Sequence, residues 1–303
     1  MRNATFRQLQ IFSVAASHLS FARAAEKLHL THAAISLQIK QLEDVSGALL
    51  FERIGKRVFL TEAGEILLDH TRQILQSLKE ADEALLALKG LRGGRIAVAV
   101  ASTAEYFAPG LLAEFRKVQA DVRIRLLIDN RDTVTRLLVG NEVDLAIMGR
   151  PPAELDATAV AFAPHPLVIV ASAAHPLAGQ ANVAVEDLAG ETLIVRETGS
   201  GTRSAMEEFF QERSIKPRIG MEMGSNEAIK QAVVAGLGIS FISQHTLGLE
   251  LSAARLMILK VEGTPVIRRW HIVRHKNKHL TPALGAFWDF VLEFAPAYLR
   301  RLA

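Results

Sequence analysis

The sequence of 303 residues contains no cysteine. Disulfide bonds, thiolate metal sites and cysteine redox sensing are therefore excluded, which fits a reducing compartment. Aromatic residues are scarce at 6%, but half of the chain is hydrophobic, so the cores must be built mainly from aliphatic side chains. A chain of this length predicts two or three folding units.

Long hydrophobic runs are also lacking. The most apolar long stretch, residues 157–174, is broken by Pro164, His165 and Pro166, and it predicts two short strands rather than a membrane span. The N-terminal segment has no apolar core of the kind found in secretory signals. We therefore expect a cytoplasmic protein that makes no contact with a membrane.

Charge is distributed unevenly, although the net charge is only +3. Residues 1–60 carry eight Lys and Arg residues and four acidic residues. Residues 61–90 carry three Lys and Arg residues and six acidic residues. A basic module followed by an acidic one indicates that the first module binds a polyanion.

The first sixty residues predict three short helices and a basic hairpin, and the pattern is typical of a winged helix-turn-helix domain. Thr5, Ser20 and Thr31 are placed to cap the helices. The third helix combines a buried aliphatic stripe with a polar face, as a helix that reads the major groove must. The residues expected to contact double-stranded DNA are Arg23, Thr31, His32, Ala33, Ser36, Lys40, Arg53, Lys56 and Arg57. The alternative is a three-helix module that does not bind DNA.

A long linker helix is predicted over 61–92, with Thr61 as its cap. Positions 67, 71, 74, 78, 81, 85 and 88 follow a 4-3 alternation and are apolar apart from Thr71. This spacing is typical of a coiled-coil seam, so we interpret the helix as a dimerisation element. The alternative is a helix that packs on its own domain.

From Arg95 onward, strand-like apolar runs alternate with segments of helical period. The strands are predicted at 95–101, 122–128, 143–148, 167–172, 192–196, 218–223, 237–242 and 268–274. This alternation predicts an α/β sensor with parallel sheets, built as two Rossmann-like lobes in the manner of a periplasmic binding protein. With chain crossovers near 163–166 and 264–268, lobe I comprises 93–164 and 267–303, and lobe II comprises 165–266.

Small polar residues and arginines follow several of these strands, where ligands bind in open α/β sheets. Helix starts and guanidinium groups favour an anion, so we expect a small anionic effector, either a phosphorylated sugar or a carboxylate. The expected ligand-binding residues are Ser102, Thr103, Asn130, Arg131, Arg150, Arg196, Gly199, Ser200, Gly201, Thr202, Arg203, Ser225 and Asn226. The alternative for each residue is helix capping or an ordinary surface arginine.

Other chemistry finds little support in the sequence. His271, His275 and His279 have helical spacing, but they fall on a predicted strand and loop and would not share a face, so no metal is expected. The pair Glu207-Glu208 is interpreted as part of a solvated helix face. No nucleophile–base arrangement or cofactor motif is found, so we expect neither an enzyme nor a cofactor. A solute-binding protein is the rival with the same lobes, but it is disfavoured by the basic N-terminal module and the missing signal.

Five segments of the N-terminal third resemble the LysR-type signature in order and spacing: FRQLQIF (6–12), SFARAA (20–25), ISLQIKQLE (35–43), LFER (50–53) and LTEAG (60–64). In the rest of the chain, residues 101–109, 147–152, 195–197, 199–203 and 220–233 are similar to the CbbR branch of that family, whose members control RuBisCO and Calvin-cycle operons.

The resemblance implies a homotetrameric activator, with RNA polymerase as a further partner. Its sensor would bind a phosphorylated metabolite such as ribulose 1,5-bisphosphate or phosphoenolpyruvate. The chain departs from the family at the start of the recognition helix, where Thr31-His32-Ala33-Ala34 replaces the usual Thr-Gln-Pro-Ala. The base contact expected from Gln must then come from His32 or move elsewhere. The alternative is a LysR-type regulator of another pathway that senses a different anion.

Overall fold

The computed structural model describes residues 4–55, 57–88 and 93–302. The chain forms two compact units, Met1–Gly90 and Leu91–Ala303. No helix in the described parts of the chain is both long and apolar enough to cross a membrane.

The first unit contains three short helices, a two-stranded hairpin and a long helix. These are α1 (Phe6–His18), α2 (Phe21–Leu28), α3 (His32–Ser46), β1 (Phe51–Ile54), β2 (Arg57–Leu60) and α4 (Glu62–Leu88). The hydroxyl oxygens of Thr5, Ser20 and Thr31 accept backbone N–H groups at the first turns of α1, α2 and α3, as the sequence predicted. Thr61 caps α4 in the same way through the N–H of Gly64, at 3.0 Å.

A single hydrophobic core joins these elements. Phe51 meets Phe12 and Phe21 edge to face, with ring centroids 5.6 and 5.1 Å away, and these contacts anchor the hairpin to α1 and α2. Gly64 allows α4 to approach the segment before the hairpin, because a Cβ there would lie 2.1 Å from the carbonyl oxygen of Leu50. The core thus fixes both the orientation of α3 and the position of the hairpin.

The seam positions along α4 become more exposed with distance from this core. Thr71 is buried and Leu67 is half-buried, whereas Ile74 and Leu78 are 40% exposed and Leu85 is 58% exposed. The side chain of Leu88 and residues 89–92 lie outside the described part of the chain. A row of exposed aliphatic side chains at heptad spacing leaves apolar area unburied within one chain.

The second unit alternates strands and helices in two lobes. Its elements are β3 (Arg95–Ala101), α5 (Ala108–Val118), β4 (Arg123–Asp129), α6 (Arg131–Val139), β5 (Leu145–Met148), β6 (Ala157–Ser172), β7 (Thr192–Arg196), α7 (Gly201–Gln211), β8 (Arg218–Met223), α8 (Asn226–Val234), β9 (Ser240–Ser243), α9 (Gly248–Ser252), β10 (Leu256–Ile258), β11 (Val266–His275) and α10 (Pro282–Arg300). In the first lobe the strand order is β4-β3-β5-β11-β6, with α10 packed on the same core.

Strands β6 and β11 pair with each other and pass from one lobe to the other. In the second lobe β6 pairs with β9 and β10, while β7 pairs with β8 and is bridged to Ile239 just before β9. The expected parallel pairing is found for β3 with β4 and β5 and for β7 with β8, but β11 runs antiparallel to both β5 and β6. The reason is topological: two strands that cross between the lobes in opposite directions cannot both be parallel to their neighbours.

The expectation of two short strands within 157–174 is wrong, because β6 is continuous over sixteen residues. Pro164 and Pro166 pair with β11 on one side, upstream of Leu167, where pairing with β9 begins on the other. Proline is tolerated there because its missing N–H is harmless on an unpaired edge.

Candidate functional site

The start of α3 is exposed on the surface of the first unit. The side chains of Thr31, His32 and Ala33 are exposed, Ser36 is half-buried and Lys40 is exposed one turn further on. The buried stripe of this helix consists of Ile35, Ile39 and Leu42, as the sequence predicted. The helix is therefore docked by one face, and on the other it presents small and polar side chains together with the exposed Leu37.

Basic side chains flank this helix. Arg23 on α2 is exposed, and so are Arg53 and Arg57 on the two strands of the hairpin. The guanidinium carbon of Arg53 lies 5.5 Å from the ring centroid of Phe21, which links the hairpin to α2. Lys56 lies outside the described residues. Exposed cations beside a docked helix suit contacts to phosphate, whereas the helix face suits contacts to base edges.

A cavity in the second unit lies between its two lobes, where the carboxyl ends of β3, β4, β5 and β7 come together. Eight of the thirteen sequence-predicted ligand residues line it: Ser102, Thr103, Arg131, Arg150, Arg196, Ser200, Gly201 and Thr202. Its volume is about 60 Å³, far below the roughly 300 Å³ or more of a typical small-molecule site. The lobes therefore stand close together.

Several hydrogen bonds cross the cleft between the lobes. The Nη2 of Arg196 donates to the hydroxyl of Ser102 at 2.9 Å, and the N–H of Asp132 donates to the carbonyl of Gly199 at 3.2 Å. The Nη2 of Arg131 reaches the hydroxyl of Ser204 at 3.5 Å. Each bond joins residues of the first lobe to residues at the end of β7 or the start of α7.

Arg196 is held almost entirely by protein partners. It is 2% exposed, its Nε and Nη2 bond both carboxylate oxygens of Glu197, and its Nη1 donates to the Oδ1 of Asn226 at 2.7 Å. Burial raises the pKa of Glu197, but hydrogen bonds and the charge of Arg196 outweigh it, so this pKa is lowered. Arg196 thus orients the Ser102 hydroxyl, whose proton remains available to an acceptor in the cleft.

Other lining groups retain donor capacity. The Nε atoms of Arg131 and Arg268 and the Nδ1 of His165 are buried and have no hydrogen-bond partner among the described residues. Four arginines and one glutamate line the cleft, and with Glu197 and Asp132, which are ion-paired with Arg196 and Arg131, the formal charge is +1. Buried donors and an excess of positive charge are what an anionic ligand requires.

The remaining five predicted ligand residues lie behind the lining. Asn130 and Ser225 cap α6 and α8 through their side chains. Asn226 accepts from Arg196, and Gly199 adopts a left-handed backbone (φ +89°) next to Asp132. Arg203 bonds Glu207 and the carbonyl of Arg196, so it supports the end of β7 rather than lining the cavity.

Sequence reasoning missed eight lining residues: Ala101, Gly149, His165, Leu167, Ser204, Ala205, Glu208 and Arg268. His165 and Arg268 fall at the predicted crossovers, which was a usable signal, because strands that connect two lobes must line the space between them. Glu208 is exposed, as expected of a solvated helix face, but its carboxylate also forms an ion pair with Arg268 at the cleft.

The described residues contain no group of three or more His, Asp or Glu side chains placed to hold a metal ion. His271 and His275 lie on β11, as expected for a strand rather than a helix, and the Nδ1 of His271 is 2.9 Å from the carbonyl oxygen of Gly149.

Two family models match the chain. The one described as LysR substrate binding domain matches residues 89–296, and the one described as bacterial regulatory helix-turn-helix protein, lysR family, matches residues 6–65.

Similar proteins are found among both sequences and structures. The RuBisCO operon transcriptional regulator of Allochromatium vinosum is 49% identical over 291 residues, which cover 96% of each chain. The HTH-type transcriptional regulator CfxR of Cupriavidus necator is 47% identical over 301 residues, which cover 99% of this chain and 95% of the relative. The structure of the Synechocystis PCC6803 CcmR regulatory domain in complex with 2-PG is 39% identical, with a TM-score of 0.64, and the match covers 67% of this chain and 99% of that one.

Proposed function

The chain belongs to the LysR family of bacterial transcriptional regulators, and we propose that it activates RuBisCO and Calvin-cycle genes when a small phosphorylated metabolite binds between the sensor lobes. It is a DNA-binding regulator and not an enzyme. The target genes are inferred from the relatives. Two regulators share nearly half of their residues with this chain over almost its full length, and one of them is named as the regulator of a RuBisCO operon.

The observation that carries the proposed ligand class is the set of donors in the cleft. Arg131 and Arg268 each keep a buried Nε without a partner among the described residues, and Ser102 keeps a hydroxyl proton. A phosphate group accepts several charge-assisted hydrogen bonds at once, which matches this set better than a neutral solute does. The CcmR regulatory domain, a structural relative, binds 2-PG.

Ligand entry must compete with bonds already in the cleft. The cavity is small, and Glu208 holds Arg268 in an ion pair. A phosphorylated metabolite therefore requires the lobes to move and Glu208 to release Arg268. Such a ligand favours one arrangement of the lobes over another, and this differential affinity is what couples binding to a change elsewhere in the protein.

The exposed seam of α4 supports a homo-oligomer. Pairing of two α4 helices through Ile74, Leu78 and Leu85 would bury apolar area and bring two DNA-reading units together. We propose a cytoplasmic homotetramer built from such dimers, in which effector binding alters the spacing of the reading units on the promoter. RNA polymerase is the expected further partner of an activator.

Calorimetry with the full-length protein tests the ligand class. We expect binding of at least one of ribulose 1,5-bisphosphate, phosphoenolpyruvate and 2-PG, and Arg131→Gln should weaken it about 10- to 100-fold through loss of charge-assisted hydrogen bonds. Arg116→Gln, which removes an exposed arginine of α5, is the matched control and should leave affinity unchanged. Absence of binding by all three compounds would refute the ligand class.

Footprinting on the DNA upstream of the RuBisCO operon tests the coupling. We expect the protected length to change when the effector is added, because the lobes and the reading units are linked in one oligomer. An identical footprint with and without effector would contradict the spacing model, while leaving DNA binding itself intact.

Two single substitutions separate phosphate contacts from base contacts. Arg57→Ala should weaken binding to all sequences alike and reduce the salt dependence of log K by about one unit, as loss of one phosphate contact does. His32→Ala should instead cost about 1–3 kcal/mol at the preferred site and little on random DNA. Mobility shifts at several salt concentrations measure both effects. Equal losses on both DNAs with His32→Ala would show that His32 reads no base.

A further inference from the structure

A buried histidine in the cleft has one nitrogen paired and the other free. His165 is 5% exposed, and its Nε2 lies 2.9 Å from the hydroxyl oxygen of Ser243. Its Nδ1 is buried without a hydrogen-bond partner among the described residues. Buried polar atoms are nearly always satisfied, so an unpaired one in a binding cleft indicates that a ligand supplies the missing partner.

The free nitrogen lies on the cleft side of the ring. Ser243, which holds Nε2, does not line the cavity, whereas Gly149 does. A Cβ added at Gly149 would lie 3.6 Å from the Nδ1 of His165. Gly149 therefore places no side chain over the buried Nδ1 on the side where the cavity lies.

The ring is held in this orientation from its other sides. It stacks on Trp270, with centroids 3.9 Å apart and planes 17° from parallel, and Nε2 is tied to Ser243. The Nε1 of Trp270 is in turn 3.4 Å from the Nδ1 of His245. His165 and Trp270 belong to β6 and β11, the two strands that pass between the lobes, so the ring cannot turn away without disturbing both.

The ring is neutral. Burial, together with the charges of His245 and Arg268, lowers the pKa of His165 to about 3. A neutral imidazole carries one N–H, and the Ser243 hydroxyl can either donate to Nε2 or accept from it. The proton can therefore reside on Nδ1 without loss of the bond to Ser243.

We propose that His165 contacts the effector directly and donates an uncharged Nδ1–H···O hydrogen bond to an oxygen of its phosphate or carboxylate group. This inference rests on the proposed function, because it requires an anion in the cleft. A carboxylate or a fully ionised phosphate only accepts hydrogen bonds, so it selects the tautomer with the proton on Nδ1, and Ser243 then donates to Nε2. The contact also places the ligand against β6, one of the two strands that pass between the lobes.

Two isosteric substitutions separate the nitrogens of His165. The amide of Asn reaches the position of Nδ1, so His165→Asn retains a donor toward the cleft and loses the bond to Ser243. The amide of Gln reaches the position of Nε2, so His165→Gln retains Ser243 and loses the donor. Gly149→Ala keeps His165 and covers Nδ1 with a methyl group at ordinary van der Waals distance.

Calorimetry of the full-length proteins with ribulose 1,5-bisphosphate, phosphoenolpyruvate and 2-PG provides the measurement. We expect His165→Asn to bind like the wild type, and His165→Gln and Gly149→Ala to bind about 10- to 100-fold more weakly. Unchanged thermal unfolding and effector-free DNA binding check that the variants are folded. Trp270 fluorescence can be followed alone in proteins that carry Trp288→Phe. It should respond to effector when His165 is present and much less when His165→Gln is added.

The possible results distinguish the two proposals. If the probes bind the wild type, His165→Gln and Gly149→Ala with equal affinity, the ligand class stands and the role of His165 is overturned. If His165→Asn is weakened as much as His165→Gln, the contact does not run through Nδ1 and the inference fails. If no probe binds the wild type, the ligand class and this inference fail together.

Discussion

Replacing Asp144 with alanine is expected to lower the free energy of unfolding of the 91–303 unit by about 3–5 kcal/mol. The carboxylate lies 2.8 Å from the ammonium of Lys278 and also accepts the N–H of Ala97 at 2.7 Å, and both charged side chains are buried. Removal of one partner leaves a buried ammonium without its countercharge, which costs far more than the pair contributes when intact.

Urea unfolding of the full-length protein, monitored by a signal that reports on residues 91–303, measures this effect. The exposed pair Asp156–Lys276, 3.7 Å apart in the same lobe, is the matched control, and Asp156→Ala should change stability by less than about 1 kcal/mol. The double variant Asp144→Leu/Lys278→Met should recover most of the loss, since it removes both charges together. Equal effects at Asp144 and Asp156 would contradict the assignment of the buried pair.

Introducing Glu at Ile74 and Leu78 together is expected to abolish dimerisation and to weaken operator binding by about 100- to 10,000-fold. Both side chains are exposed in the single chain, so the substitutions should leave the fold of the first unit unchanged. In a paired seam they would place like charges at facing core positions. A protein with one reading unit also loses the gain in affinity that comes from engaging two half-sites at once.

Light scattering and mobility shifts measure these two effects separately. Gln73→Glu is the control, because Gln73 neighbours Ile74 and is exposed but falls outside the seam. Gln73→Glu should leave the dimer unchanged, whereas Ile74→Glu alone, with which it is compared, is expected to weaken the dimer. If Ile74→Glu/Leu78→Glu remains a dimer with wild-type affinity for DNA, the seam is not the oligomer interface.

Local structure was predictable wherever short-range chemistry decides it. Thr5, Ser20 and Thr31 cap the helices that they were expected to cap, because a hydroxyl beside free N–H groups acts over three residues. The strand over 95–101 has the expected bounds, since its apolar run ends at a small polar residue. By contrast, the prolines at 164 and 166 suggested a break in β6, and only the pairing with β11 explains why the strand continues.

The amino-acid sequence alone determined the helix-turn-helix, the apolar seam of α4 and the positive character of the cleft. Each of these depends on residue type and on spacing along one or two elements. Which arginine is free to bind a ligand was decided only by the tertiary structure. Arg196 is held by Glu197, Asn226 and Ser102, although it lies at the end of a strand, as Arg131 does within two residues. Likewise, His165 and Arg268 enter the cleft because β6 and β11 cross between the lobes. Hydrogen-bond partners that are distant in sequence decide whether a donor is occupied, and they are known only once the chain is folded.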